Sequence, residues 1–406
     1  MSRLEGPATK TTAKTQRVMN SLALLDAVRE SPRTISELCA ATGLSRTAVE
    51  AVTGILLESG WISDEAVGSH PGAGRPPRVI SLRGEAGVVV GIDIGPHKVQ
   101  VSVADLAGRM LARKTTKVSP ELAAGDRLAA SAALCAVALD EAGRELRDVW
   151  VVAVASPGVV QDGTVRHFIG LPGWEGLDIA AALSRMLGRP VVAENDCNLA
   201  AIAERWRGKA ANVTDLVYIL SGNRTGAGLI LSGEIYRGWR GGAGEIGALP
   251  EAGWLRAPAL IDGVKVGEDI LNREEVFEAA RRGHAEAISA VDRFAQALAT
   301  GISALVLALD PQLVVVGGGV SRAGDLLREP LRRHIERMCI IRMPEFVFSE
   351  LGDESVSLGA VRLGLDLVEE RVAAIAFDEL CFPSPHPDLL VADPSSPRGG
   401  RAPIDK

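Results

Sequence analysis

The chain has 406 residues, 47% of them hydrophobic, and a formal net charge of -7, enough length and apolar content for two or three cores rather than one. No uncharged apolar run reaches the roughly 18 residues of a membrane span, and the polar N-terminus lacks an apolar signal core, so a cytoplasmic protein with no membrane partner is expected. Charge is split unevenly: residues 1–84 hold 10 Lys and Arg against 8 Asp and Glu, the remainder 34 against 43, so the acidic body repels phosphates and any nucleic-acid contact falls to the N-terminal part.

Residues 1–14 read as a flexible polar tail. Val18, Leu22, Leu25 and Val28 then share one face of a first helix. Thr34-Ile-Ser-Glu37 is a capping box for a short second helix that Gly43 ends. Ser45 caps a third helix whose Val49, Val52 and Leu56 face inward and which Gly60 stops. A strand starts at Trp61, and a hairpin with the tip Gly72-Ala-Gly-Arg75-Pro-Pro-Arg78 returns at Val79–Leu82. Three helices and a hairpin over 15–84 make a winged helix-turn-helix layout. Its third helix would enter the major groove near its N-terminus, presenting Arg46, Thr47, Glu50 and Thr53. Arg46 suits a phosphate or guanine, and Glu50 a cytosine amino group. Arg75 and Arg78 flank extended prolines and suit a narrow minor groove. One such module makes few phosphate contacts, so a homodimer or higher homo-oligomer on an inverted-repeat operator in double-stranded DNA is expected. The module reads as separable, so that removing residues 1–84 leaves a folded body.

From Val88 strands alternate with helices. Strands at 88–94, 99–103 and 110–118 form a meander, followed by a helix near 121–142, a strand at 150–155, a helix at 177–187, a strand at 191–193 and a helix at 197–208. The cycle repeats with strands at 216–220, 228–231 and 234–237, a long helical stretch over 273–309, a strand at 313–316, and helices near 323–337 and 355–369. Residues 85–370 thus read as two similar mixed α/β lobes around a cleft. Residues 371–406 read as a mostly disordered extension, with six prolines in the last 25 residues. The five cysteines (39, 135, 197, 339, 381) stand singly, without zinc or disulfide spacing, and are expected to be buried reduced thiols.

Five segments recur in an order that points to one family: Gly91-Ile-Asp93-Ile-Gly95, Ser156-Pro-Gly158, Leu171-Pro-Gly-Trp174 ahead of Glu194-Asn195-Asp196, Gly241-Gly-Ala-Gly-Glu245-Ile-Gly247, and Val314-Val-Val-Gly-Gly-Gly319. Over residues 15–365 the chain resembles the ROK family of bacterial repressors and sugar kinases. The resemblance implies an α/β actin-like ATPase fold of two duplicated lobes behind an N-terminal winged helix-turn-helix domain. It assigns Asp196 the place of the base that deprotonates the sugar hydroxyl. It assigns Asp93 and Gly95, Gly226 and Gly228, and Gly317 and Gly318 to nucleotide-phosphate loops. Two of those loops depart from the family pattern. Gly95-Pro96-His97-Lys98 stands where the family has Gly-Gly-Thr-Lys, and Pro96 has no N–H to offer. Gly222-Asn-Arg224-Thr-Gly-Ala-Gly228 stands where the family resembles Gly-Thr-Gly-x-Gly-x-Gly. The family's zinc histidine is Ala248 here, and residues 249–272 hold no cysteine, whereas zinc takes about four N/S ligands. No metal, no cofactor and no catalysis are therefore expected, with Asp196 a vestigial base. Asn195, Asp196 and Glu245 remain to hydrogen-bond sugar hydroxyls; Asn195 and Asp196 equally suit the cap of the helix starting at Cys197. The expected protein is a DNA-binding transcriptional regulator, a repressor, sensing a sugar or sugar-like effector. The alternatives are an active ATP-dependent sugar kinase fused to a DNA-binding module, and a regulator controlled by a protein partner.

Overall fold

The structure, a computed structural model, describes residues 12–66, 78–168 and 170–391. Helices α1 (Ala13–Glu30), α2 (Ile35–Thr42) and α3 (Arg46–Ser59) pack around Leu24, Leu38, Val49 and Leu56. The anticipated caps set their ends. The Thr34 hydroxyl accepts from the Glu37 N–H (3.3 Å) while the Glu37 carboxylate accepts from the Thr34 N–H (2.7 Å). Gly43 and Gly60 close α2 and α3 in the left-handed conformation. Strands β1 (Ile62–Ala66) and β2 (Arg78–Leu82) pair antiparallel from Ile62 opposite Leu82 to Ala66 opposite Arg78. The hairpin tip, Arg75 included, lies outside the described residues. The expected tail ends earlier than drawn, because Thr12 caps α1 and the helix begins at Ala13.

The first lobe comprises β3 (Val88–Ile94), β4 (Lys98–Asp105), β5 (Met110–Lys117), α4 (Ala124–Glu141), β6 (Val149–Ser156), the hairpin β7 (Val159–Gln161) and β8 (Thr164–His167), α5 (Ile179–Leu187), β9 (Val191–Asn195) and α6 (Asp196–Arg207). Its main sheet runs β5-β4-β3-β6-β9, with β3, β6 and β9 parallel. The second lobe comprises β10 (Leu216–Ser221), β11 (Thr225–Leu231), β12 (Glu234–Ile235), α7 (Ala257–Ile261), the hairpin β13 (Val264–Val266) and β14 (Asp269–Leu271), α8 (Arg273–Arg281), α9 (Ala285–Leu309), β15 (Leu313–Gly317), α10 (Asp325–Met338), β16 (Glu345–Phe348) and α11 (Ser355–Glu379). Its sheet, β12-β11-β10-β15-β16, repeats the first strand for strand, with β10, β15 and β16 parallel. The duplication is therefore real and one strand fuller than the apolar pattern indicates, since the short β16 escapes it. The helical stretch 273–309 is two helices, split at Gly283, which has φ +89°. Helix α9 is long and apolar enough by composition to cross a membrane, but it lies mostly buried in the core of the second lobe.

Helices α6 and α11 lie between the two sheets and cross each other closely. A Cβ on Gly359 of α11 would overlap the Leu199 carbonyl of α6, so only glycine permits this crossing. Farther along, α11 meets the N-terminal unit. Leu24, Val28 and Trp61 share one continuous core with Trp150, Val151, Leu365, Val368 and Val372. The module expected to be separable thus has its apolar face completed by the body. The expectation of a disordered extension from residue 371 is corrected. Helix α11 runs to Glu379, and beyond it Phe382, 6% exposed, packs edge-on against Trp61 at 6.2 Å. The Trp61 indole N–H donates to the Pro383 carbonyl at 2.6 Å. Residues 392–406 lie outside the described residues. Of the cysteines, 135 and 197 are buried, 39 and 339 half-buried, and 381 exposed, so the uniform burial expected of them does not hold.

Candidate functional site

Three carboxylates singled out in the sequence, Asp93, Asp196 and Glu245, come within electrostatic reach of one another, Asp93 and Asp196 from the first lobe and Glu245 from the second. Asp93 ends β3 and is buried, with the Lys98 ammonium 3.7 Å away. Burial raises its pKa against the pull of Lys98. Asp196 begins α6; burial first, then the neighbouring charges of Asp93 and Glu245, push its pKa up to about 7. Glu245, in the 3-10 turn Glu245–Ala248, is also raised by burial, an effect opposed by His167. A half-protonated carboxyl among acceptors can donate to or accept from a hydroxyl, which is the chemistry of polyol recognition.

Asn195 and Asp196 divide the two roles the sequence left open. Asn195 is the helix cap: its side-chain oxygen accepts from the Asn198 N–H (3.1 Å), and its amide donates to the Gly158 carbonyl (2.9 Å). Both ends of that side chain are engaged in structure, which argues against the ligand role expected of it. Asp196 is the first residue inside the helix, and one of its oxygens accepts from the Cys197 N–H at 2.9 Å. The Ser156-Pro-Gly158 turn is tied into the same frame, with the buried Trp174 donating to the Ser156 hydroxyl at 2.9 Å. Glu194 bridges the lobes. It accepts from Asn198 (3.0 Å) and from Arg237 of the second lobe (2.6 Å).

The loops expected to cradle phosphates are held by protein groups. Arg127, fully buried on α4, donates to the carbonyls of Gly95 (2.7 Å) and Pro96 (3.2 Å) and to that of Ser119 (2.7 Å), fixing the first turn from below. Sequence reasoning missed it. The signal was a lone cation on the stripe Arg127, Ser131, Cys135 and Ala138 of an otherwise apolar helix. His97 is exposed at the tip of that turn. In the second loop the Arg224 guanidinium lies over the Phe168 ring at 4.8 Å, joining the lobes at their rim. Side chains on Gly226 and Gly228 would strike Cys197 of α6, and one on Gly317 would strike Tyr218. Gly318, at φ +79°, faces the Ser221 carbonyl. Packing within the chain alone thus requires these glycines. At the family's zinc position the residues do not fit the metal: Ala248 offers no donor, and no group of three His, Cys, Asp or Glu side chains suited to a metal exists among the described residues.

On α3, Arg46, Thr47 and Glu50 are exposed, with Arg46 ion-paired to Glu50 at 2.9 Å. Thr53 is 5% exposed and faces the core, so it leaves the set of outward residues; the helix turns it onto the Val49–Leu56 face. Arg78 starts β2 and pairs with Asp64 across the hairpin at 2.7 Å.

The ROK family sequence profile matches residues 89–252 and 255–366, most of the chain. The chain belongs to the ROK family. Among its ROK relatives, the putative xylose repressor of Caldicellulosiruptor sp. (strain Rt8B.4) is 26% identical over 401 residues, covering 90% of this chain and 97% of that protein. The glucokinase of Halalkalibacterium halodurans is 27% identical over 310 residues, covering 66% of this chain and 92% of that protein. A ROK family transcriptional regulator structure, a homolog of the E. coli MLC protein, superposes with a TM-score of 0.69 at 18% identity, covering 90% of this chain and 99% of that one. The actin-like ROK fold of two duplicated lobes agrees with both classes of relative.

Proposed function

We propose that this chain is a transcriptional repressor in which a winged helix-turn-helix unit, α1 to β2, reads DNA and a catalytically inactive ROK body senses a sugar or sugar-like effector. The observation that carries the reading is length: the repressor relative aligns along nearly the whole chain, whereas the glucokinase relative spans about the extent of the body. The exposed Arg46, Thr47 and Glu50 at the start of α3 support the DNA role, and the acidic body leaves it to that unit. Asp196 and Glu245 are the sugar-contacting residues of this reading, with Asn195 shaping the site as a cap. Pro96 in the first loop speaks against ATP-dependent transfer, because phosphate stabilisation needs backbone donors there and proline has no N–H to give. The operator is an inverted repeat read by a homodimer.

The test is fluorescence anisotropy of the intact chain on duplexes selected from a random library. Selection of a two-fold symmetric site supports the reading, and binding indifferent to sequence overturns it. The kinase reading keeps one feature, an intact Asp196 with an elevated pKa suited to a general base. Hexose-dependent ATP consumption that disappears in Asp196→Asn would establish it in place of inactivity.

A further inference from the structure

Where the N-terminal unit meets the body, the shared core does not close. A cavity of about 270 Å³ remains, lined by Leu22, Leu25 and Trp61 on one side and by Leu365, Val368 and Ala373 of α11 on the other. Protein interiors are packed to nearly crystalline density, and voids larger than a water are few. A space of this size with walls from two units is where small ligands most often sit. It is separate from the inter-lobe cleft, sharing no lining residue with the Asp93, Asp196 and Glu245 cluster.

Its polar groups are mostly acidic. Arg29 is the one cation in the lining, and it pairs with Asp26 at 2.9 Å and with Glu369 at 3.2 Å. Glu369 is held in addition by Arg362 at 2.9 Å. Glu370 is exposed; the charges that act on it are those of Asp366 and Glu234, which repel it, and of Arg237, which attracts it but is held by Glu194 at 2.6 Å. The walls are therefore apolar and aromatic, and the rim carries the exposed Glu370 carboxylate, whose one attracting cation, Arg237, is bound to Glu194. The cations close to the cavity are already engaged by Asp26, Glu369 and Asp366.

We propose that this interdomain cavity is a binding site for a small aromatic amine, its ring against Leu22, Leu25, Trp61 and Leu365 and its ammonium on Glu370. An anionic ligand of the same shape would meet carboxylates with no free cation to receive it. A neutral one would forgo the attraction that this acidic rim offers a cation. The volume suits a ring with a short side chain and excludes a disaccharide.

The test uses isothermal titration calorimetry on the intact chain with phenethylamine and 3-phenylpropionate, which share ring and length but carry opposite charge. It involves neither DNA nor sugar, so its result stands apart from the repressor reading. Phenethylamine is expected to bind about tenfold or more tighter than 3-phenylpropionate, the preference a single opposite charge at a partly solvated site supplies. Ala373→Phe, which fills the space, should abolish binding. Glu370→Gln, at the exposed rim and harmless to folding, should remove most of the charge preference even if the filled variant fails to fold. Equal affinity for both probes, retention of phenethylamine binding in folded Ala373→Phe, or no heat from either probe up to about 10 mM overturns the proposal.

Discussion

Asp196 is the residue whose position says most. Its carboxyl is ordinarily ionised above pH 3.8 and here holds its proton up to about 7. Below pH 3.8 it is protonated in both the folded and unfolded states and contributes nothing to pH dependence. Between those values the unfolded chain loses the proton first, so its contribution to stability falls as pH rises and stays lost above 7. Asp196→Asn should therefore raise the thermal midpoint at pH 8, by an amount equivalent to about 1–3 kcal/mol, and leave it nearly unchanged at pH 4. Thermal unfolding at the two pH values checks this, and an equal shift at both would point to a packing effect instead. At the DNA end, Arg46→Ala should cost about 1–3 kcal/mol of operator binding and relax sequence preference, because Arg46 opens the reading helix. Arg78 suits a narrow minor groove, so Arg78→Ala should weaken binding mainly on duplexes with A·T-rich flanks. Anisotropy on matched and scrambled duplexes, with and without A·T-rich flanks, separates the two outcomes.

At the scale of elements, α11 connects the parts. Its first turns cross α6, which carries Asp196, through the Gly359 contact, and its later turns bear Leu365, Val368 and Val372 against the N-terminal unit. A 25-residue helix spans about 37 Å, long enough to run from its crossing with α6 to the N-terminal unit. The chain beyond it doubles back to Trp61, whose ring sits 5.9 Å from Trp150 and 6.2 Å from Phe382. Trp61→Ala removes that aromatic contact and its hydrogen bond to Pro383, and should destabilise the fold by about 3–5 kcal/mol. The denaturant midpoint reads it, and a loss under about 1 kcal/mol would mean the junction is loosely packed. Truncation after Leu380 should lower the midpoint in the same direction, since it bares Trp61 and Trp150.

For the whole molecule the shared core changes how DNA binding must be tested. Removing residues 1–84 uncovers Trp150, Leu365, Val368, Val372 and Phe382 together, a patch large enough to promote association. The truncated body should bind a hydrophobic dye and self-associate in light scattering, and a monodisperse, dye-silent body would argue for independent units. Substitutions on α3 are the cleaner test of DNA contact. An effector bound in the cleft shifts DNA affinity only by its difference in affinity between two arrangements of the molecule, ordinarily about 1–3 kcal/mol. Asp196→Ala should lose that response while keeping ligand-free DNA binding, because Asn195 rather than Asp196 caps α6.

Sequence alone determined whatever depends on local chemistry. The capping box at Thr34 and Glu37, the stops at Gly43 and Gly60, the apolar periodicity of the strands and the ordered ROK segments are all set within a few residues, and the elements and family follow from them. It failed where partners are distant along the chain. Thr53 has the polarity of a surface residue but lies on the buried face of α3. Asn195 and Asp196 are adjacent and chemically alike, yet only the start of α6 makes one a cap and leaves the other facing Asp93 and Glu245. Arg127 matters through carbonyls some thirty residues earlier in the chain, and Phe382 through Trp61 at the other end of it. The prolines near the C-terminus suggested disorder because composition records the cost of ordering a segment and not the apolar surface waiting to receive it. That surface exists only once α1, β6 and α11 are packed, so the tertiary structure alone decided that the N-terminal unit and the ROK body share a core.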